Sequence, residues 1–480
     1  MDDDDVPESS EPGPSPFSSS DRKRRTEAIE NSLKEGKFTE ISEPVQREEC
    51  CLVLDFGKKL HDFLSVFIVF IDRKTEKPTI KTLPFMFYPV FENKKTEKIV
   101  EYIVEGGERL NLSRDVIINM RLVGDGASNI RKLEKYFRSY SLCSCHSLQK
   151  SAERVLDPLE DSHSDFLSQE LEHLREIQEA VEECGDLASR LRRYRNHHDL
   201  DKLPVAYCKT RWMTFLNCTQ DIIDMFPEID KIQNTVIKKM CDKIRPKLAT
   251  LITAMQLLRI FEKPLKIFEQ TDIRIHEVAP WFFKLKQNFE EQQTKGKQDR
   301  IFTIEVVSKA ACISLNHYIS KTISDTHLLA TSLCPGMRKL GLFPQVFKDK
   351  AQELLKAEIE IVRLEQTAQK KIDFDHLTID LYDQPPPAPS ADSELRDYES
   401  SVFTQEDSVS PPLEFWDKYQ NRFPRLAKIA GGVYCTLSSE SICERAFSAL
   451  NRVFRTDRQS LDPEMVEILM ISYIYLNNSK

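Results

Sequence analysis

No stretch of this sequence stays apolar long enough to span a bilayer. Its most apolar segment, Phe63 to Ile71 (FLSVFIVFI), is strand-sized and runs into Asp72-Arg73. The N-terminus, MDDDDVPESSEPGPSPFSSS, lacks both a basic start and an apolar middle, so no signal peptide is expected. A disulfide framework is missing too. The 12 cysteines are scattered apart from Cys50-Cys51 and Cys143-x-Cys145, which points to reduced thiols in a nuclear or cytoplasmic protein. Nor is positive charge in excess: the formal net charge is −9, which does not advertise nucleic-acid binding. Only local basic runs remain, at Arg22-Lys23-Arg24-Arg25, at Arg190 to Arg195, and at Arg452, Arg455 and Arg458. Each reads equally as a solvated face, and the first also fits a nuclear-import signal. What is present, 480 residues with 40% hydrophobic and 30% charged, describes a globular chain of two or three domains.

Taken in order, residues 1–48 are acidic, then Pro/Ser-rich, then basic, and are expected to be a disordered tail with at most one short helix before Gln46. A β-rich unit follows over 49–150. Its predicted strands are Cys51–Leu54, Phe63–Ile71, Thr79–Tyr88, Val116–Val123 and a short one at Leu142-Cys143, with a helix over Lys94–Glu105. Pro84 inside the third strand argues for a sheet edge. Three strands in a meander, then helix, strand, helix, strand, is the order of a ribonuclease-H-like sheet. Residues 151–372 are helical in pattern almost throughout and read as an insertion domain. Residues 373–412, with PPPAPSADSE and SVSPP, lose periodicity and read as a flexible linker.

Residues 413–480 close the chain with two expected helices. In the first, Ile442, Ala446, Ala449, Leu450 and Val453 share one face, and Glu444, Ser448, Asn451 and Arg455 share the other. Asp462 and Pro463 suit the start of the second, whose run from Met465 to Leu476 is too apolar for a solvated helix. The fold class expected is therefore α/β plus all-α: a mixed sheet interrupted by a large helical insertion and completed by C-terminal helices.

Asp55 and Asp125 each end a predicted strand, and the two strands are neighbours in such a sheet. Two carboxylates that close repel unless a divalent cation such as Mg²⁺ lies between them. A third, Glu444, completes a two-metal site for phosphodiester displacement if its helix lies on the sheet. Plainer readings stand beside these. Asp125 before Gly126 also suits a turn or a helix cap, and Glu444 three residues after Ser441 has capping-box spacing. Asp55-Phe56-Gly57 mimics a kinase DFG, but no glycine-rich loop, lysine motif or HRD precedes it. Cys143, Cys145 and His146 lack a second ligand pair, so no zinc is expected. Trp212 fits a core as readily as a base-stacking position.

The ordered set LVLDFG, GDGASN, CSCH, KTRWMTF, the helical insertion with FEKPLKIFEQ and LLATSLCPGMRKLGLF, then PLEFW and SSESICERAFS with its final apolar helix, resembles hAT-family transposases over about residues 50–478. The resemblance implies that Asp55, Asp125 and Glu444 form a metal-binding catalytic triad holding Mg²⁺ or Mn²⁺. It places His146 beside the active site, with Arg211 and Trp212 near the DNA. It also implies dimerisation through the final helix, with Leu461, Val466, Leu469, Met470, Tyr473, Ile474 and Leu476. The family usually carries a Trp at the position of Gly57, and usually an N-terminal BED zinc finger, for which nothing before Cys50 provides ligands. The expectation is therefore a domesticated or truncated derivative: a nuclear homo- or heterodimer associated with DNA, away from membranes. The alternative is an active Mg²⁺-dependent transposase that cleaves and joins DNA.

Overall fold

The computed structural model describes residues 36–37, 39–58, 62–91, 94–195, 200–207, 212–272, 274–362, 390–453 and 463–478, with the backbone alone for 212, 451–453, 463–464 and 475–478. Five strands form one mixed sheet in the order β3-β2-β1-β4-β5. They are β1 Cys50–Lys58, β2 Asp62–Asp72, β3 Thr79–Val90, β4 Arg121–Gly124 and β5 Ser139–Leu142. β1 and β2, and β2 and β3, pair antiparallel, whereas β4 pairs parallel with both β1 and β5. Both faces of the sheet are covered, which is why its central strands read as continuous apolar runs. Cys51, Val53, Phe63, Phe67 and Val123 face one layer, and Leu52, Leu54, Leu64, Val66 and Leu122 face the other.

Pro84 does lie on an edge strand. The register of β2 against β3 slips there, from Val66 opposite Met86 to Phe67 opposite Pro84, so a bulge absorbs the missing donor. The fourth strand is shorter than expected. Ser113 accepts a hydrogen bond from the Val116 amide and starts a helical turn over Arg114–Ile118, so β4 begins only at Arg121. β1 is longer than expected and continues beyond Asp55 to Lys58, held by β2.

On the Leu52 face lies α1 (Thr96–Glu108), together with a helix over 39–46 whose Ile41 is fully buried. The 39–46 helix shortens the expected N-terminal tail; residues 1–35 lie outside the described residues. The Cys51 face is covered by the C-terminal helices α3 (Pro424–Tyr434), α4 (Ser441–Val453) and α5 (Pro463–Asn478). α4 crosses β1 and β2, and α5 runs along β3.

The helical block between has its own core, from Leu148 to Ala351. Its last part packs elsewhere, since Leu329, Leu333, Leu355 and Ile359 join the sheet-face core. The helix Asp325–Ser332 is locked there by three donors. Tyr434 Oη, Tyr398 Oη and Trp416 Nε1 bond the carbonyls of Ala330, Ser332 and Leu333 at 2.9, 3.0 and 3.0 Å. Those carbonyls lie in and just beyond its final turn, where helical partners run out.

Tyr398 belongs to a helix over Ala391–Ser400, within the expected linker. That expectation is corrected over 390–412. Ser390 caps this helix, Leu395 and Tyr398 enter the core, and Glu394 accepts a bond from the Leu426 amide at 2.8 Å, in the first turn of α3. The rest of the expected linker, 373–389, lies outside the described residues.

Candidate carboxylate site

The parallel register sets Cys51 opposite Arg121 and Val53 opposite Val123. Carried on two residues, it sets Asp55 opposite Asp125, the residue that follows β4. Alternation along β1 gives Asp55 the same face as Cys51 and Val53, the face that α4 covers. So Asp55 is not at a strand end as expected. It sits inside β1, where β4 has stopped pairing and the sheet opens into a notch.

α4 reaches this notch because its apolar stripe is buried as expected: Ile442, Ala446, Ala449 and Leu450 are all in the core. The Cys443 thiol approaches the carbonyls of Val53 and Ser65 at 3.7 and 3.8 Å. Gly57 permits the close approach. A Cβ built there would run into the Phe447 ring, so the space over Gly57 is filled from α4. Phe447 also packs on Phe87, with ring centroids 5.6 Å apart. Glu444, on the opposite side of α4, is exposed at the rim.

Asp55 responds to the charges of the other two carboxyls. Asp55 is raised to about 7, first by burial, then by the charges of Asp125 and Glu444; the Phe56 amide, bonded to its Oδ1 at 2.7 Å, and Lys94 act the other way. Glu269, on the rim, is raised by burial and by Glu444. His146 is pushed below its ordinary value by burial and by Lys150, so it is a neutral imidazole near neutral pH, with Asp125 and Glu444 among its charged neighbours.

Several plainer roles are present as well. Asp125 Oδ1 accepts from the Ala127 amide at 3.0 Å, the turn-shaping bond that its Gly-containing context suggested. Asn129 Nδ2 donates to the Lys94 carbonyl at 2.8 Å, tying the turn after β4 to the segment before α1. In CSCH, Cys143 is the N-cap of α2 (Ser144–Leu156), its sulfur accepting from the His146 amide at 3.4 Å. The Ser441 hydroxyl donates to the Glu269 carbonyl at 3.0 Å, while the Ser441 amide bonds Ser439 Oγ at 3.4 Å.

One residue missed in the sequence stands among them. Glu440, just before α4, is 4% exposed and is raised well above the carboxylate range by burial, then by Asp55 and Asp125. A hydrogen bond with the Cys143 thiol opposes that shift. Its only sequence signal was a charge next to a small-residue run ahead of an amphipathic helix, which is also what a helix start looks like.

The donor chemistry, carboxylates only with a buried oxygen to spare, fits a hard divalent cation. Their spacing is looser: among the described residues no group of three or more His, Cys, Asp or Glu side chains is drawn together closely enough to hold a metal ion. Arg211 and the Trp212 side chain lie outside the described residues, although the Trp212 backbone begins a helix running to Ile229.

The expected dimer residues divide. Val466, Met470 and Ile474 are buried within the chain, facing β3 and the sheet-face core. Leu469 and Tyr473 are 36% and 38% exposed, on another side of α5. Leu461 and the Leu476 side chain lie outside the described residues. Glu467 Oε1 accepts from the Phe87 amide at 3.4 Å, so α5 also covers the outer edge of β3.

With this geometry in place, similarity to known proteins can be set beside it. Residues 394–475 match the hAT family C-terminal dimerisation region, and residues 37–125 match a domain of unknown function, DUF8247. The chain is 29% identical over 467 residues to an uncharacterized protein of Caenorhabditis elegans, covering 92% of this chain and 71% of that protein. Among the described residues no helix is long and apolar enough to cross a membrane.

Proposed function

We propose that this chain is a transposase-derived protein that pairs with a second copy through its C-terminal region and works on or beside DNA in the nucleus. The observation that carries the pairing is the match of residues 394–475 to a dimerisation region, ending in a helix that keeps Leu469 and Tyr473 outward while Val466, Met470 and Ile474 are buried. The strand order, with β2 alone running against the other four, supports reading the sheet as ribonuclease-H-like. In light scattering the full chain is expected at twice its monomer mass. Leu469→Glu, which puts a charge on the outward side of α5 and leaves Val466, Met470 and Ile474 in place, is expected to weaken self-association at least about tenfold. A monomeric wild type overturns the pairing.

A second reading is favoured by one observation, that the register of β1 on β4 sets Asp55 level with Asp125, with Asp55 within the electrostatic reach of both Asp125 and Glu444. In this reading the three carboxylates hold Mg²⁺ or Mn²⁺. Held there, such an ion would supply activation of a water or 3′-hydroxyl and stabilisation of the leaving oxygen in phosphodiester displacement. The chain itself contributes the alignment of the acids on β1, just after β4 and on α4, and a neutral His146 beside them able to accept a proton. Purified protein is then expected to nick DNA with Mg²⁺ or Mn²⁺. Asp125→Asn should reduce the rate at least about a thousandfold, with the circular dichroism spectrum unchanged. Equal background cleavage by the two proteins removes this reading and leaves the first intact.

A further inference from the structure

We propose that Glu440 is a fourth carboxylate of this site and a ligand for the divalent cation that the site binds, an inference that rests on the second reading above. Glu440 is 4% exposed, yet its Oε2 has no hydrogen-bond partner. A buried carboxyl oxygen left unpaired is expensive, so a native fold keeps one where something absent from the chain pairs with it. The charges acting on it most strongly are Asp55 and Asp125, followed by Glu444, all of its own sign.

The side chain is not free to escape to water, because the backbone beneath it is tied down on two sides. The Ser438 carbonyl accepts from the Ser144 amide at 2.8 Å. The hydroxyls of Ser438 and Ser439 donate to the Phe268 carbonyl at 3.3 and 2.7 Å. The Glu440 carbonyl accepts from the Cys443 amide at 2.8 Å, which fixes the residue as the first step into α4.

A second orphan lies on the same face. Ser65 stands opposite Asp55 in β2, is fully buried, and its Oγ also lacks a partner. Two unpaired polar atoms flanking one aspartate suit a small hard cation that keeps several of its waters: the carboxyl takes the ion or a water, and the hydroxyl takes another water. A proton on Glu440 would neutralise the charge but needs no metal, and the test separates the two.

Titration calorimetry of the full-length protein with Mn²⁺ compares wild type, Glu440→Gln and Asp125→Asn. Wild type is expected to bind, Asp125→Asn to lose binding, and Glu440→Gln to bind at least about tenfold more weakly. Thermal melts give the second readout: Mn²⁺ should raise the wild-type melting temperature and leave that of Glu440→Gln almost unmoved. If Glu440→Gln fails to fold, Glu440→Asp, one methylene shorter, is measured in the same way against the same expectation. Binding by the Glu440 variant equal to wild type overturns the proposal while the three-carboxylate reading stands. No Mn²⁺ binding by wild type overturns both.

Discussion

Ending the chain before Pro463 is expected to cost the fold, not just the dimer. A region that matches a dimerisation module invites the opposite expectation, that its last helix can be removed to leave a monomer. The packing forbids it. Val466, Met470 and Ile474 are 0%, 0% and 8% exposed within a single chain, and Glu467 accepts from the backbone of β3. At roughly 1.5–3 kcal/mol for each buried side chain of this size, the three contribute about 4.5–9 kcal/mol. A whole domain is commonly stable by only about 5–15 kcal/mol. The truncated protein should therefore bind a hydrophobic dye, melt without a cooperative transition and aggregate. Leu469→Glu, by contrast, should retain the wild-type melt. A truncated chain that unfolds cooperatively within a few degrees of wild type would show that α5 serves partners alone.

Asp55→Asn is expected to stabilise the metal-free protein above neutral pH while damaging any cation-dependent chemistry. Asp55 is raised from 3.8 to about 7 in the fold. Between those values the folded state holds a proton that the unfolded state has lost, so the stability of wild type falls as pH rises from about 4 to 7 and is level above. Asparagine has no charge to suppress, so the variant lacks that fall. The difference should be negligible near pH 4 and on the order of 4 kcal/mol in favour of the variant at pH 8. Urea midpoints at the two pH values measure it. Parallel stability curves for the two proteins would mean that Asp55 is not held among like charges. In the cation reading, millimolar Mn²⁺ should close the gap by stabilising wild type alone.

Much of the sheet was legible because burial on both faces leaves a clear apolar signature in β1 to β3, and Pro84 marked the edge. β4 was misjudged for a local reason. Val116 to Val123 is apolar throughout, and the Ser113 cap that turns its first part into a helix is a single hydroxyl. The helix over Ala391–Ser400 was hidden by PPPAPS immediately before it and by its few apolar residues; its place is decided by Tyr398 and Glu394, whose partners lie 66 and 32 residues away.

Around the notch, Asp125 was read from a strand end and Glu444 from a helix face, whereas Asp55 was expected at a strand end and lies inside β1. What could not be read was the depth of Glu440. Burial of a glutamate depends on α2 and the Phe268 carbonyl closing over the loop before α4, and no periodicity in the local sequence records that closure. Gly57 shows the converse. It looked like a departure from the transposase pattern that the sequence resembles, and its reason lies in the ring of Phe447, nearly 400 positions downstream.

The distance between β1 and α4 also sets a schedule for the ribosome. Cys443 rests on the carbonyl of Val53, 390 residues earlier in the chain. At about 5–20 residues per second, the strands wait roughly 20–80 s before the helices that cover their apolar face are made. Throughout that interval Phe63, Phe67 and Val69 lack the cover that α4 and α5 give them. The nascent chain is thus expected to need protection from aggregation over that interval. A ribosome paused within the helical block should hold a sticky, half-roofed sheet, protected from aggregation only as long as something else occupies the place of α4 and α5.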